Sequence, residues 1–531
     1  MRRPAPAVLL AMLLTAFGQT GLAQEHEHPR PDGSKVGKVD FPVSCAPAAA
    51  ARFGEAVAML HSFWFEAAEK AFREIAAADP NCSLAHWGVA MTLMGNPMTR
   101  LAPPTGADVA LAEAQQAKSL AAKASHREQL YADAALAYWG APAGRSHLER
   151  MAAMERSFEA LYRAHPEDME AAIFYARTLV ANADPADGTF ARQQQAAALM
   201  EPLFARHPDH PGLAHYLIHA YDAPALAAKG EVAARAYAGI APAAPHALHM
   251  PSHIFTRLGQ WDESIETNIR SARAEPDSNA AVHAMDYLVY AYLQEGRDED
   301  ARRVVERAVQ LSDRYYGGLQ GYNFAAMPAR YALEREQWAT AAALPLPGAS
   351  APPYVAAVTR FARGIGAARS GDAARAEVEA GALNDLQQQL RDGGDPEWAT
   401  RVKAQQLAVS AWVAMARGHA DEALRLAHSA SELEESIAKH PITPGPLLPA
   451  RELEGDLLAE LGRFQDAQTA YELTLEREPG RARTLAEAAR AAERAGNAEA
   501  AHRHYTDLLA VMAKADADRP EPAAARKYLG R

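Results

Sequence analysis

The chain has 531 residues, of which 49% are hydrophobic, so it contains ample material for a large folded core. Alanine is abundant, whereas β-branched and aromatic residues are sparse, a balance that favours closely packed helices over a large sheet. The net charge of −12 and the lack of a stripe rich in Lys and Arg argue against nucleic acid as a partner.

The N-terminus has the three parts of a secretory signal peptide. Met1–Arg3 supplies positive charge, and Ala7–Phe17 is an apolar run too short to span a bilayer. Gly21–Ala23 fits the small-x-small cleavage pattern, so we expect the mature chain to begin at Gln24. These features predict a signal peptide over 1–23 and a periplasmic or secreted bacterial protein with no membrane span after cleavage. The alternative is an uncleaved membrane anchor.

The segment after the predicted cleavage site, 24–47, begins with a polar stretch rich in Pro, Gly and His, and we expect it to be flexible. Cys45 and Cys82 are the two cysteines of the chain. An oxidising compartment favours a disulfide between them, and their separation is close to one helical-repeat period. The alternative is a pair of ligands for a soft metal, although the chain has no CxxC and no CxxCH motif.

Amphipathic helices recur in pairs from residue 48 onward. The turn within a pair often carries glycine, and the second helix often ends at proline, as in GQWDESIETNIRSARAEP and GRFQDAQTAYELTLEREP. A helix–turn–helix unit of about 34 residues with these marks is typical of tetratricopeptide (TPR) repeats. We therefore predict an all-α, TPR-type superhelical solenoid over 48–513, followed by a C-terminal tail over 514–531.

One stretch of the predicted solenoid, 211–294, concentrates histidine. Six of the 20 histidines lie there, at spacings of three, four and seven residues that place side chains on one face of a helix. Turn glycines and a closing proline assign His246, His249, His253, His283 and Asp286 to first helices, which line the concave groove of a TPR superhelix. The preceding unit has less clear marks, but His215, His219 and Asp222 share one helical face. We predict a metal site in this groove, with candidate ligands His215, His219, Asp222, His246, His249, His253, His283 and Asp286.

Pro251 complicates this prediction because it lies between His249 and His253. A proline inside a helix removes one backbone hydrogen bond and clashes with the preceding turn. Either the helix is kinked there, or it begins near Pro251 and leaves His249 on the incoming loop. Both geometries allow metal binding, but they change the i, i+4 relation of the two histidines.

Four further residues are weaker candidates for the site. His61 and His86 would reach the metal if the superhelix closes on itself, and the alternative is a core or capping role. Asn323 and Arg330 fall on the predicted groove face of the next unit, where they would orient an anionic or carbonyl substrate. The alternative for these two is a solvated pair.

Imidazole and carboxylate ligands without a nearby thiolate suit Fe, Cu or Zn. Six histidines resemble a coupled dicopper arrangement, whereas the two aspartates fit iron or zinc at least as well. The chain has no HExxH, GxSxG, P-loop or dinucleotide fingerprint. Three tyrosines beside the ligands are candidates to donate a proton or to hydrogen-bond a bound oxygen species, namely Tyr216, Tyr287 and Tyr290.

Several phrases carry a resemblance that covers nearly the whole mature length. They read HSFWFEAAEKAF, AHWGVAM, HPGLAHYLIHAYD, APHALHMPSHIFTRLGQW and HAMDYLVYAYLQ, and they include the patterns HxxxHxxD and HALHMPSHIF. In combination they resemble a group of exported bacterial TPR proteins. The resemblance implies the fold and export, and it implies no activity.

Three hypotheses about function remain. The first is an exported metal-dependent enzyme, oxidative or hydrolytic, that acts on a small molecule in the groove. The second is a TPR scaffold whose groove binds a peptide or protein partner. The third is a periplasmic metal-binding protein without turnover. Bound metal separates the first and third from the second, and a closed groove favours the enzyme over the scaffold.

Overall fold

The computed structural model describes residues 35–103, 105–141, 144–312 and 318–531. The predicted signal peptide and the beginning of the predicted flexible segment lie outside these ranges. Within them the secondary structure is α-helical apart from one 3-10 turn at Pro97–Thr99, with no β-strand. The predicted all-α class is therefore confirmed. In the same ranges, no helix is both long and apolar enough to cross a membrane.

The N-terminal part of the described array contains twelve α-helices. Its helices are α1 (Pro47–His61), α2 (Phe65–Ala78), α3 (Ser83–Thr92), α4 (Ala107–Ala121), α5 (His126–Trp139), α6 (His147–Ala164), α7 (Met169–Ala181), α8 (Ala191–Arg206), α9 (Pro211–Tyr221), α10 (Ala227–Ile240), α11 (Pro245–His249) and α12 (Pro251–Arg257).

The C-terminal part continues the same pattern. Its helices are α13 (Trp261–Ala274), α14 (Asn279–Gln294), α15 (Asp298–Ser312), α16 (Gly318–Glu334), α17 (Trp338–Ala343), α18 (Pro353–Arg369), α19 (Ala373–Asp392), α20 (Pro396–Ala416), α21 (Ala420–Glu435), α22 (Ala450–Glu460), α23 (Phe464–Arg477), α24 (Ala482–Ala495), α25 (Ala498–Val511) and α26 (Pro520–Leu529).

Helix packing follows the solenoid rule of the TPR fold. Consecutive helices pack against each other, and first helices of successive pairs also touch, as α7 does with α9, α16 with α18, and α20 with α22. Each unit therefore buries its apolar face against its neighbours, and small residues allow the close approach. Gly88 illustrates this, because a Cβ at this position would lie 2.3 Å from the ring of Phe72.

The superhelix closes on itself through contacts between residues about two hundred positions apart. The indole nitrogen of Trp261 donates to the carbonyl of Gly480 at 2.9 Å. The side-chain oxygen of Gln294 accepts from the backbone nitrogen of Ala482 at 3.0 Å. As a result α14 contacts α24 directly, and the C-terminal repeats help to enclose the concave groove.

A loop fills part of this groove. The segment between α21 and α22, residues 436–449, crosses the inside of the superhelix, and we call it the inner loop. Its Ala438 nitrogen donates to the Pro185 carbonyl at 2.7 Å, and the Nε2 of its His440 donates to the Thr99 carbonyl at 3.1 Å. The inner loop therefore joins repeats that are far apart in sequence.

The N-terminal segment differs from the prediction in its described part, residues 35–46, where side chains buried against the first repeats alternate with exposed ones. Val36 and Phe41 are buried. The ring of Phe41 lies 5.2, 5.7 and 5.1 Å from the rings of Phe53, Trp87 and Tyr131. Burial of this aromatic side chain outweighs the polar composition that suggested disorder.

A disulfide between Cys45 and Cys82 fastens the end of this segment to the start of α3, with a Cα–Cα distance of 4.8 Å. The predicted C-terminal tail is also ordered in large part. It contains α26, whose Ala525 is buried and which packs against α25.

The packing of Phe41 leads to a stability prediction. Phe41→Ala should destabilise the first repeats by about 3–5 kcal/mol, because it removes a buried ring and leaves a cavity among three other rings. Hydrogen exchange of the α3 amides, followed by mass spectrometry, measures this change. The control Val232→Ala replaces a side chain that is 74% exposed and should change little. Equal protection in both variants would contradict the described packing.

Candidate metal centre

The first histidine trio joins α9 to α11. His215 and His219 are one helical turn apart on α9, and His246 comes from the first turn of α11. The Nε2 atom of His215 lies 3.1 Å from the Nε2 atoms of both partners. His215 and His219 are buried, whereas His246 is partly exposed. The three imidazoles thus point their Nε2 atoms toward one position.

The second trio consists of His249, His253 and His283. The Nε2 atoms of His249 and His253 are 3.1 Å apart, and the His249 and His283 rings have a centroid distance of 4.4 Å. Pro251 starts a new helix, α12, but Met250 keeps helical dihedral angles of φ −53° and ψ −35°. The helix is therefore interrupted at the proline, while the two histidines still meet on one side.

The two trios adjoin each other. The ring centroids of His246 and His249 lie 6.1 Å apart, and those of His219 and His253 lie 5.9 Å apart. Within each trio one nitrogen per ring falls within 4.8 Å of the others. Six imidazoles predicted to be near one another thus form two neighbouring groups of three, which we call the histidine cluster.

Hydrogen bonds fix the protonation of three of these rings. The Nδ1 atom of His215 donates to the carbonyl of His61 at 2.6 Å. In the second trio, Nδ1 of His249 donates to Oδ1 of Asn268 at 2.6 Å, and Nδ1 of His253 donates to the carboxylate of Asp222 at 2.8 Å. A neutral imidazole carries one proton, so its Nε2 atom in these three residues is a bare lone pair.

The second trio therefore offers two lone pairs that could bind one cation. The bare Nε2 atoms of His249 and His253 face each other at 3.1 Å with no proton to share. Two lone pairs at this distance repel, whereas a metal ion between them turns the contact into two bonds. Two nitrogens that are each about 2.0–2.1 Å from one ion lie roughly 3.3 Å apart at a tetrahedral angle, close to the observed separation.

Burial keeps the cluster in the form that binds metal. It lowers the pKa of all six histidines below the ordinary value, and repulsion from neighbouring imidazolium forms lowers the pKa of His215, His219, His246, His249 and His283 further. The rings are consequently neutral near pH 7. Neutral imidazole is the species that coordinates transition metals, so no proton has to leave before an ion binds.

Asp222 lies outside both trios and orients a ligand from behind. Besides His253, its carboxylate accepts from Nε of Arg257 at 3.0 Å and from Nζ of Lys439 at 3.1 Å. Burial alone would raise the pKa of Asp222, but Lys439 and Arg257 hold it well below the ordinary value. An ionised carboxylate behind a ligating histidine fixes the ring and makes its free nitrogen a stronger ligand.

Of the three predicted tyrosines, Tyr287 borders the second trio. Its hydroxyl lies 3.3 Å from Nε2 of His253 and donates to the Thr443 carbonyl at 3.3 Å. The hydroxyl of Tyr216 instead bonds the Nδ1 of His61 at 3.0 Å. Tyr290 packs its ring against Trp261 and away from the histidines.

Asp286, Asn323 and Arg330 form a separate structural cluster, which revises the roles expected for them as metal ligand and substrate-binding residues. The Asp286 carboxylate accepts from Nε of Arg330 at 3.4 Å and from the amide of Asn323 at 3.3 Å. Arg330 also donates to the carbonyls of Pro446 and Gly445 at 2.8 and 3.3 Å. These residues are buried and hold the inner loop in place, so a substrate has no access to them.

The two additional histidines behave differently from each other. His86 pairs with Glu113 near the surface, at 2.6 Å. His61 is buried beside the first trio, where Glu170 bridges its Nε2 and that of His210, both at 2.8 Å. These three residues form a third potential ligand group. Their polar atoms are satisfied by hydrogen bonds, and the network positions His61, whose carbonyl orients His215.

Sequence reasoning missed three contributors to the site. Asn268 and Lys439 carry no motif: Asn268 lies on α13, between the histidine-bearing segments, and Lys439 lies on the inner loop, remote in sequence from the cluster. Phe63 lies within the SFWF run, and its backbone adopts the left-handed conformation with φ of 51°. Its ring stacks on His246 at 5.3 Å and meets the edge of His215 at 4.4 Å, so it walls the first trio.

Comparisons with known proteins add little about this site. No family model and no curated protein matches the chain. Similar solved structures include the human IFIT1 dimer with m7Gppp-AAAA, at 11% identity and a TM-score of 0.36 over 81% of this chain and 90% of that one. They also include the APC/C hetero-tetramer Cut9-Hcn1, at 11% identity and a TM-score of 0.30 over 91% and 90%. At these TM-scores the likeness carries no argument about ligands.

The structural role of Arg330 can be tested by substitution. Arg330→Met should lower the free energy of unfolding by about 3–5 kcal/mol, because it leaves the Asp286 carboxylate buried without its cation. Urea unfolding measures the change. The double variant Asp286→Leu/Arg330→Met should recover part of the loss, since it removes the stranded charge as well. Wild-type stability in Arg330→Met would contradict a structural role for this residue.

The contribution of His440, which anchors the inner loop, to the stability of the fold should depend on pH. Burial lowers the pKa of His440 to about 4, although Glu397 opposes the shift. Between pH 6.5 and 4 the unfolded chain therefore binds a proton that the folded chain does not, so stability falls as the pH falls.

We expect the wild-type free energy of unfolding to fall more steeply over this range than that of His440→Gln. The difference should approach about 1.4 kcal/mol per pH unit, because one proton is involved. Urea titrations at pH 7, 6 and 5 measure it. His428→Gln replaces an exposed histidine and should retain the wild-type slope. If the free energy of unfolding of His440→Gln falls with pH as steeply as that of the wild type, His440 is not the source of the pH dependence.

Proposed function

We propose that the histidine cluster binds two transition-metal ions, one in each trio, and that the chain is an exported metal-dependent oxidoreductase. The observation that carries this proposal is the pair of bare Nε2 atoms of His249 and His253 at 3.1 Å. Asn268 and Asp222 fix both rings in the metal-binding tautomer. Export is proposed from the sequence of the N-terminus alone.

Copper fits this ligand set best. The carboxylates of Asp222 and Asp286 have other partners and lie outside both trios, so the candidate ligands are neutral imidazoles. Two divalent ions would bring four positive charges into a buried cluster, at a large cost in a medium of low dielectric. Two monovalent copper ions bring half that charge, and imidazole is a good ligand for copper.

Two adjoining copper sites favour two-electron chemistry with dioxygen. Copper held in the two trios would supply one electron per ion, which suits an oxidation in which a substrate loses two electrons and two protons. Dioxygen gains them and leaves as hydrogen peroxide, which balances the reaction. The protein's own contribution is to hold the rings, exclude water by burial and place the hydroxyl of Tyr287 beside the second trio. Lys439, 3.5 Å from that hydroxyl, is suited to hold a proton there.

The inner loop favours this enzyme over a peptide-binding scaffold. An extended peptide in a TPR array would lie along the concave groove. Here residues 436–449 cross that groove and bond to the carbonyls of Thr99 and Pro185 on the far side. The space that remains suits a small molecule, and the burial of the histidines suits chemistry that must exclude water.

Metal analysis tests the proposal. The mature chain, prepared without a histidine tag and loaded anaerobically with Cu(I), should hold two copper ions per chain. His253→Ala should lose about one of them, because it removes one ligand of the second trio. Asp222→Asn should weaken binding there by about 10–100-fold, because the ring loses its anionic partner. Elemental analysis after dialysis measures the stoichiometry, and competition with a copper chelator measures the affinity.

The control is His428→Ala, which removes an exposed histidine far from the cluster in sequence and should retain both ions. Circular dichroism should confirm that all three variants are folded. If the wild type retains no stoichiometric metal after loading with copper, iron or zinc, the proposal fails. If it retains zinc in preference to copper, the metal site stands and the oxidative reaction is excluded in favour of hydrolysis.

A further inference from the structure

A cavity of about 280 Å³ lies between the inner loop and α20, on the other side of Lys439 from the histidine cluster. The turn after α9 and the segment 185–190 complete its wall. Its rim includes Gly188, Ala225 and Ser436, which are exposed, so the cavity opens to solvent. This volume accommodates a small organic molecule and is too small for a folded partner.

The body of the cavity is apolar and rich in aromatic side chains. Trp398 and Phe361 line it together with Ala404, Ala408 and Leu447. These side chains are buried in the fold. A planar apolar ligand would bury its faces against such walls with favourable ring contacts, whereas a strongly hydrated sugar would not.

Two hydrogen-bond donors on the wall lack acceptors among the described residues. They are the indole Nε1 of Trp398, a side chain only 5% exposed, and the Nε of Arg401. The two residues are three positions apart in the first turns of α20, so they lie on the same side of the helix. Leaving a buried donor unpaired is unfavourable, and a ligand oxygen would pair with it.

The charged side chains around the cavity indicate which kind of ligand oxygen fits there. The acidic side chains Glu434 and Glu478 already have partners, since Glu434 accepts from the Ala450 nitrogen at 2.7 Å and Glu478 pairs with Arg257 at 3.6 Å. Arg401 donates through one terminal nitrogen to Glu397 at 2.9 Å and to the Ala438 carbonyl at 2.6 Å, but its Nε has no acceptor among the described residues. An unpaired guanidinium nitrogen next to an unpaired indole N–H suits an anionic acceptor, and a carboxylate offers two oxygens.

Part of the cavity wall also belongs to the surroundings of the histidine cluster. Arg257, Lys439 and Thr443 all line the cavity, and the first two hold Asp222 while the carbonyl of the third accepts from Tyr287. Asp222 and Tyr287 in turn contact His253. A molecule in the cavity is thus separated from the second trio by two successive layers, Arg257, Lys439 and Thr443 on the wall and Asp222 and Tyr287 behind them.

We propose that this cavity is a binding site for a small aromatic carboxylate. Its ring packs against Phe361 and Leu447, and its carboxylate accepts from Nε1 of Trp398 and Nε of Arg401. The binding site stands independently of any metal. Its further assignment as the substrate site of the oxidoreductase rests on the proposed function.

Calorimetric titration of the metal-free mature chain with 4-hydroxybenzoate tests the site. We expect saturable binding with one molecule per chain. Trp398→Phe should weaken it by about tenfold, since it removes one donor to a charged acceptor and keeps the aromatic ring. Ala408→Leu should abolish it by filling the cavity. The neutral analogue 4-hydroxybenzamide should bind at least tenfold more weakly than the carboxylate.

The matched control is Trp412→Phe. Trp412 is on the same helix and also has a buried indole nitrogen without an acceptor among the described residues, but it does not line the cavity. This control should bind 4-hydroxybenzoate like the wild type. Equal weakening in the two tryptophan variants, or no saturable binding of 4-hydroxybenzoate, benzoate or indole-3-carboxylate by the wild type, would overturn the site. Equal affinity for 4-hydroxybenzamide and 4-hydroxybenzoate would overturn the proposal that the ligand is anionic.

The substrate assignment has its own readout. The copper-loaded chain should consume dioxygen and release hydrogen peroxide when 3,4-dihydroxybenzoate is added, because this aromatic acid can lose two electrons and two protons to give an ortho-quinone. Trp398→Phe should raise KM while retaining both copper ions. Ligand binding without oxygen consumption would overturn the assignment of the cavity as the substrate site, but the cavity would remain a binding site for an aromatic carboxylate. Loss of copper binding with ligand binding intact would overturn the proposed function alone.

Discussion

Two imidazole nitrogens that face each other without a proton impose the strongest constraint on this structure. His249 and His253 donate their Nδ1 protons to Asn268 and Asp222, so their Nε2 lone pairs meet at 3.1 Å. A buried polar group normally has a partner, and a cation would be a partner for both lone pairs. A metal would also relieve the crowding of six neutral rings in a site where burial disfavours protonation. The helices and the inner loop around the cluster are arranged in a way that is consistent with a bound cation.

The fold creates the cluster by closing the solenoid. An open TPR array would expose the concave face of α9, α11 and α14 to solvent. Here the C-terminal repeats return to contact α13 and α14, and the inner loop crosses the enclosed space. That loop carries Lys439 to Asp222 and is itself held by Arg330. Closure therefore combines two tasks, because it buries the histidines and leaves beside them a cavity of small-molecule size.

The all-α repeat fold and the convergence of the six histidines could be predicted because both depend on local periodicity. The i, i+4 spacing of His215 and His219 and the register of the turn glycines are visible in the sequence. The roles of Asp286 and Arg330 were not predictable, because they depend on the inner loop, which has no repeat pattern. Lys439 was missed for the same reason. Phe41 shows the opposite failure, since a polar local composition concealed a buried aromatic contact.

X-ray absorption at the copper edge of the loaded, reduced chain tests the central claim most directly. It reports the number and kind of atoms bound to each ion without reference to activity. The account predicts about three nitrogen neighbours per copper at about 2.0 Å, with the multiple-scattering pattern of imidazole and no sulfur shell. His249→Ala should reduce the mean nitrogen count, and Cys45 and Cys82 should not contribute. A sulfur shell, or a spectrum dominated by oxygen ligands and unchanged in His249→Ala, would contradict the assignment of the histidine cluster as the metal centre.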